Sequence, residues 1–383
     1  MTTTPTLTLD RAPTVTAPRI LSVGTAVPPE RYSQEELLDL FGITDPKVRS
    51  LFLMGSIRRR SLVLPPAAPD GTRLRESQGD LLDKHKAWAV SLGRDALAQC
   101  LKRIGADLSE VAYLCCVTST GFLTPGLSAL LIRELGLDWR TGRADIVGMG
   151  CNAGLNGLVV VRNWAAANPG RLAVLVCAEA CSAAYTMDST MRTAVVNSLF
   201  GDGAAAVAVM ADPVTPEDGA ASEDGEAPEN DDGRDLDGPR ILRTASVTII
   251  DAIDAMRYDW DRDQGRFSFF LDPQIPYVVG AHVEDVIDRL LAGTSLRRGD
   301  IAHWLVHSGG KKVIDAVAVN LGLTRHDLRH TITVLRDFGN VSSGSFLFSY
   351  ERLLQEGVAV PGDYGVLMAM GPGSAIESAL IQW

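Results

Sequence analysis

The chain carries a diverged copy of itself, and this duplication constrains its fold more than any single motif. Residues 107–137, DLSEVAYLCCVTSTGFLTPGLSALLIRELGL, and residues 296–323, LRRGDIAHWLVHSGGKKVIDAVAVNLGL, share one order. Each reads as a polar turn, a β-rich strand, a glycine-containing loop and an amphipathic helix ending in Leu-Gly-Leu. A helical stretch precedes each, GRDALAQCLKRIGA in one half and VEDVIDRLLAGTS in the other. Downstream, DIVGMGCNAGLNGLVVV and TVLRDFGNVSSGSFLFSYERLL read alike as strand, turn and buried helix, which aligns Cys151 with Asn340. The spacing agrees: 40 residues separate Val111 from Cys151, and 39 separate Ile301 from Asn340. A third strand follows in each half, RLAVLVCAEA and YGVLMAMGPG.

Strands that alternate with helices predict an α/β fold. Two such halves stacked about a pseudo-twofold axis give a five-layered α/β/α/β/α arrangement, with matching strand–helix junctions close to the axis. The expected organisation is an N-terminal arm (1–17), a first half (18–211), an acidic insertion (212–239) and a second half (240–383). The net charge of −11 resides almost entirely in that insertion, which holds eleven Asp/Glu and one Arg. Its Gly/Pro/Asp/Glu composition cannot bury a core and predicts a disordered surface loop.

The remainder is nearly neutral and shows no basic face, which argues against nucleic-acid binding. No apolar run reaches the ~18–20 residues of a membrane span. The Thr/Pro-rich start lacks the apolar centre of a signal peptide, so a cytoplasmic protein is expected. Six cysteines then read as free thiols, and none has the spacing of a zinc site.

Cys151 follows a glycine pair and precedes a nearly all-apolar helix. A helix N-terminus favours a thiolate, which makes Cys151 the candidate nucleophile. Of six histidines, His307 alone stands at a strand tip beside Ser-Gly-Gly, with His303 deeper on the same strand face. Asn340 reads locally as a turn residue, but the duplication places it opposite Cys151. A thiolate can hold an acyl group. Neutral His and Asn can donate hydrogen bonds to a thioester oxygen as a malonyl group loses carbon dioxide. The resulting enolate would attack the acyl-cysteine. A papain-like protease uses the same residue types without the duplication.

These residues resemble the type III polyketide synthases, chalcone-synthase-like enzymes of the thiolase fold. The matching elements are the GC-x-AG turn at Cys151, LFGDGAAA at 199–206, HSGG at 307–310, GN-x-SS at 339–343 and GPG at 371–373. They cover residues 18–383 in the family's order. The resemblance implies Cys151 as acyl carrier, with His307 and Asn340 as the decarboxylation pair and His307 helping to keep the thiolate. Phe200 and Phe269 match the gatekeepers between CoA tunnel and cavity, with Phe267 and Phe270 as alternatives to Phe269. It also implies substrate contacts at Thr124, Cys181, Ala184, Lys47, Gly309, Gly310, Lys312, Ser342, Gly371, Pro372 and Gly373.

Several positions depart from the family. Ser50 and Met54 replace bases expected near the CoA phosphates, for which Arg49 and the run Arg58-Arg59-Arg60 are possible substitutes. Cys181, Ala183 and Ala184 stand at cavity positions that often hold Thr or Val. Thr124 stands where a methionine often reaches across the dimer. These departures argue against a chalcone-type starter. CCVTSTGFLTPGLSALLIRELG, RYDWDRDQGRFSFFLDPQIPYVVGAH and HWLVHSGGKKVID instead resemble bacterial members from glycopeptide-antibiotic gene clusters. That similarity implies four malonyl-CoA units, one starter and three extenders, cyclised to 3,5-dihydroxyphenylacetyl-CoA for a dihydroxyphenylglycine unit. It implies a homodimer, no metal or redox cofactor, and accessory enoyl-CoA hydratase-like enzymes as partners. The alternatives are another type III product (a tetrahydroxynaphthalene, pyrone or alkylresorcinol), a β-ketoacyl-ACP synthase III, or a non-catalytic acyl-CoA-binding protein.

Overall fold

A computed structural model of the protein describes residues 17–67, 69, 76–184, 191–213 and 237–383. The expected N-terminal arm lies outside these residues apart from its last position. Most of the acidic segment does too. At that segment's described edge, Asp212 pairs with Arg19 (3.1 Å) and Arg240 (2.5 Å).

The first half runs β1 (Arg19–Ala26), β2 (Arg31–Ser33), α1 (Gln34–Leu40), α2 (Pro46–Met54), β3 (Arg59–Ser61), α3 (Gln78–Arg103) and β4 (Val111–Val117). It continues through α4 (Leu127–Leu135), β5 (Gly142–Ile146), α5 (Ala153–Ala167), β6 (Leu172–Glu179), α6 (Met191–Leu199) and β7 (Gly203–Met210). The second half runs β8 (Arg240–Thr248), β9 (Met256–Asp261), β10 (Arg266–Leu271), α7 (Ile275–Leu291), β11 (Ile301–Val306) and α8 (Lys311–Leu321). It ends with α9 (Arg329–Phe338), α10 (Ser345–Glu356), β12 (Tyr364–Gly371) and β13 (Ala375–Gln382).

The strands order as β11-β12-β13-β8-β1-β7-β6-β4-β5, and the half-sheets join through a single pair, Arg19 with Arg240. The pairing senses repeat. β4/β6 and β11/β12 are parallel, while β6/β7, β1/β7, β12/β13 and β8/β13 are antiparallel.

Side-chain alternation along these strands builds the layers, because successive residues point to opposite faces. Cys115, Val117, Leu175 and Cys177 face inward with Leu305, Leu367 and Ala369, all packed on α5 and α10. Leu114, Cys116, Val174 and Val176 face outward under α3 and α4. Trp304, Val306, Val366 and Met368 do the same under α7 and α8. The result is the five-layered thiolase arrangement, with α5 and α10 as its central layer.

The two Leu-Gly-Leu sequences are matching helix stops. Gly136 and Gly322 cap α4 and α8 at φ +67 and +69, a left-handed conformation that glycine adopts without strain. In the central layer Gly154 is obligatory for a different reason. A Cβ there would lie 2.1 Å from the Ser343 carbonyl oxygen, so the two halves approach here backbone to backbone.

One expectation fails. The segment before Asn340 is helix α9, not a strand, so β5 has no counterpart among the described residues. The burial pattern explains this: His330, Thr331, Val334 and Leu335 form one helical face rather than alternating. Asn340 therefore follows a helix C-terminus, capped by Gly339 at φ +73.

Candidate active site

Cys151 lies in the short turn Gly150–Asn152 that opens α5. It lines a cavity with Ser119, Thr120, Gly150, Cys181, Ala184, Val196, Phe200, Tyr258, Phe269, Ser342 and Pro372. Phe200 and Phe269 meet edge to face there, with ring centroids 6.0 Å apart. Asn340 is locked to the Phe200 strand by a parallel bridge: its N–H donates to the Leu199 carbonyl, and its carbonyl accepts from Gly201 N–H, both at 2.9 Å. The backbone thus fixes the candidate donor to the candidate gate.

Ser342 is the hinge of the site. It adopts φ +47, a conformation that costs a serine about 1–3 kcal/mol and persists only where the surroundings enforce it. The Asn340 Oδ1 accepts its N–H at 2.8 Å, and its Oγ lies 3.6 Å from Cys151 Sγ. Burial pushes the Cys151 thiol up to about 12; Ser342 and Asn340 pull it down and Glu179 pushes it further up. Burial thus opposes the thiolate that the helix N-terminus favours.

His307 is buried one residue past β11, its N–H held by the Met368 carbonyl at 2.8 Å. Burial drives its ring down to about 3, so it is neutral. Its Nδ1 is sealed from water and has no hydrogen-bond partner among the described residues. A proton there would be stranded, which favours the tautomer that carries it on Nε2. Gly309 packs against that ring edge: a Cβ would lie 3.0 Å from the His307 Cδ2. Gly310 precedes α8 at φ +125.

The Gly371-Pro372-Gly373 loop closes over the Cys151 turn. A Cβ on Gly371 would strike Asn152, and one on Gly150 would strike Pro372. Gly373 itself faces open space. Of the expected residues, His307, Asn340, Gly309, Gly310, Gly371, Gly373, Lys47, Lys312 and Thr124 are not in the cavity lining. Lys47, at the start of α2, and Lys312, at the start of α8, are exposed on the surface, and Thr124 lies in an exposed loop. Arg60 turns inward, donating to the Phe200 carbonyl (2.5 Å) and the Asn197 carbonyl, so it is not free to meet a phosphate. Arg49 donates to the Ile43 carbonyl, whereas Arg58 and Arg59 are exposed.

Sequence reasoning missed a buried polar network behind the nucleophile. Glu179, at the end of the otherwise apolar strand β6, accepts from Ser119 N–H (2.9 Å), Ser119 Oγ (2.8 Å), Thr120 Oγ (3.1 Å) and Ser343 Oγ (2.5 Å). Ser119 Oγ lies 3.1 Å from Ser342 Oγ, which completes a path to Cys151. His85 is fully buried, with Nδ1 3.1 Å from Thr120 Oγ. A carboxylate inside the run LVCAEAC was the available sign, because a buried charge needs partners.

Two family descriptions match the chain: the N-terminal domain of chalcone and stilbene synthases over residues 71–213, and their C-terminal domain over 245–383. The 3,5-dihydroxyphenylacetyl-CoA synthase of Streptomyces toyocaensis is 70% identical over 97% of this chain and 91% of its own. That of Amycolatopsis balhimycina is 67% identical over 95% and 93%. Among solved structures, the 1,3,6,8-tetrahydroxynaphthalene synthase of Streptomyces coelicolor A3(2), a bacterial type III polyketide synthase, superimposes with a TM-score of 0.82. It is 26% identical, covering 95% of this chain and 99% of that one. Duplicated fold, cavity and sequence agree: the chain belongs to the chalcone and stilbene synthases, the type III polyketide synthases.

Proposed function

We propose that the protein is a 3,5-dihydroxyphenylacetyl-CoA synthase. The observation that carries this reading is its 70% identity, nearly end to end, with a synthase of that name. The chemistry balances: four malonyl-CoA give one 3,5-dihydroxyphenylacetyl-CoA, three CoA, four carbon dioxide and one water.

In this reading Cys151 takes the starter by thioester exchange. The next malonyl thioester presents its carbonyl oxygen to the neutral N–H of His307 and the amide of Asn340. Carbon dioxide leaves, and negative charge builds on that oxygen, where two pre-aimed donors stabilise it. The enolate carbon attacks the acyl-cysteine carbonyl. A carbon–carbon bond forms, the carbon–sulfur bond breaks, and the thiolate is released with the chain now on CoA. A neutral His307 suits this task, since it donates without needing a counter-ion. After the last condensation the chain is still on CoA, which explains a CoA-bound product.

The functional unit we infer is a homodimer. Phe122 and Trp139 are 74% and 86% exposed near the edge strand β5, and Thr124 shares this face. Exposed aromatics beside an unpaired edge are a liability that a second copy would cover. Six free thiols fit a reducing cytoplasm. No helix among the described residues is long and apolar enough to cross a membrane.

Incubation with malonyl-CoA alone, followed by mass analysis, tests the reading. The expected product is the eight-carbon dihydroxyphenylacetyl thioester. A naphthalene, a long-chain resorcinol, or a requirement for an acyl-carrier protein would overturn it.

A further inference from the structure

The hydroxyls around the cavity fall into two groups. Those of Ser119, Thr120 and Ser342 are engaged with one another, with Glu179 or with Cys151. The phenol of Tyr258 lines the same cavity and makes no hydrogen bond among the described residues. It arrives from the opposite half of the chain, on β9. Its ring faces Phe269 across the β9–β10 hairpin at 5.0 Å and meets Phe267 edge-on at 6.4 Å. These contacts hold the ring at the cavity. The side chain remains 42% exposed, so a bound acyl chain can reach it. Desolvation pushes the phenol's pKa up, and Cys181, Glu179 and Cys151 act in the same sense. The group therefore stays a donor across the working pH range.

We propose that Tyr258 is a catalytic residue for ring closure, donating its O–H to the keto oxygen β to the thioester. The proposal rests on the product assigned above. The carboxylate kept from the starter first leaves as the fourth carbon dioxide, a proton taking its place, and the terminal carbon then attacks the β-carbonyl carbon. One carbon–carbon bond forms, and the carbonyl π pair moves to oxygen. The proton lost from the attacking carbon ends on that oxygen. Water then leaves and the two remaining ketones enolise, so no co-reactant is needed. A fixed donor at the developing alkoxide lowers this barrier. Condensation does not use it, because there the charge builds on the thioester oxygen.

The test is Tyr258→Phe in the full chain, which deletes one oxygen and keeps the aromatic stack. Carboxyl-labelled malonyl-CoA reports carbon dioxide release, and mass analysis reports products. Release should stay within about threefold of the unaltered protein while the aromatic share falls roughly 10²-fold in favour of pyrones and open-chain acids. An unchanged aromatic share would overturn the proposal. So would a loss of release in proportion to aromatic product, with an unchanged melting temperature. If the unaltered protein made no dihydroxyphenylacetyl product, the assigned function would fail instead, and the two failures are distinguishable.

Discussion

The two halves of the sheet are built alike and equipped differently. Val117 pairs with Cys177 in the first half as Val306 pairs with Met368 in the second. By that register Thr118 and Glu179 correspond to His307 and Met370, and the internal repeat aligns Cys151 with Asn340. The first half presents a thiol, hydroxyls and a carboxylate at its tips. The second presents an imidazole and an amide, with methionine where the carboxylate would be.

The other histidines of the second half sharpen this contrast. His303 and His330 each face a carboxylate, Asp363 at 2.8 Å and Glu356 at 2.6 Å. His307 has none among the described residues, and burial drives it down to about 3. Duplication supplies matched geometry, and withholding a counter-charge keeps one member neutral. The two halves then hold different groups at matching positions, a thiol in the first and a neutral imidazole and an amide in the second.

Replacing Cys151 should break the comparison most severely. Cys151→Ala is expected to lower aromatic product by roughly 10⁴–10⁶-fold, the scale of losing a nucleophile. Slow release of labelled carbon dioxide should survive, because the donors belong to the other half. Aromatic product from this variant would sink the carrier role. Asn340→Ala, or His307→Ala, should slow that release by roughly 10²–10³-fold, the usual effect of losing one donor. Gly154→Ala probes how closely the halves approach. Its Cβ would strike the Ser343 oxygen and Phe346, costing about 1–3 kcal/mol of stability, readable as a lower melting temperature.

The smallest effect is a null one. Burial lowers the pKa of His307, so its neutral donor form persists as pH falls through 6.5 and is lost only near 3. Decarboxylation should therefore show no His307-dependent inflection between pH 5 and pH 7. An inflection near 6.5 that disappears in His307→Gln would mean the ring titrates normally.

The repeat was legible because its signals are local. The strand-to-helix order and the Leu-Gly-Leu stops depend on neighbouring residues, and β4–α4 and β11–α8 follow them. The strand expected before Asn340 failed because five or six residues can satisfy two periods, and burial chose the helical one. Glu179 was hidden for a different reason. Its partners Ser119 and Ser343 come from loops 60 and 164 residues away, so no local pattern announces them. Tyr258 reaches the cavity only because a hairpin sets it against Phe269. The environment of Cys151 is split in the same way: the helix start is local, while the burial that opposes ionisation is assembled from both halves.

The division of labour between the halves is most directly tested by intact-protein mass spectrometry of Asn340→Ala after exposure to malonyl-CoA. The account predicts a stalled protein carrying one malonyl group on Cys151, because loading needs only the first half and decarboxylation needs the second. An unloaded Cys151, or a full yield of aromatic product, would contradict it.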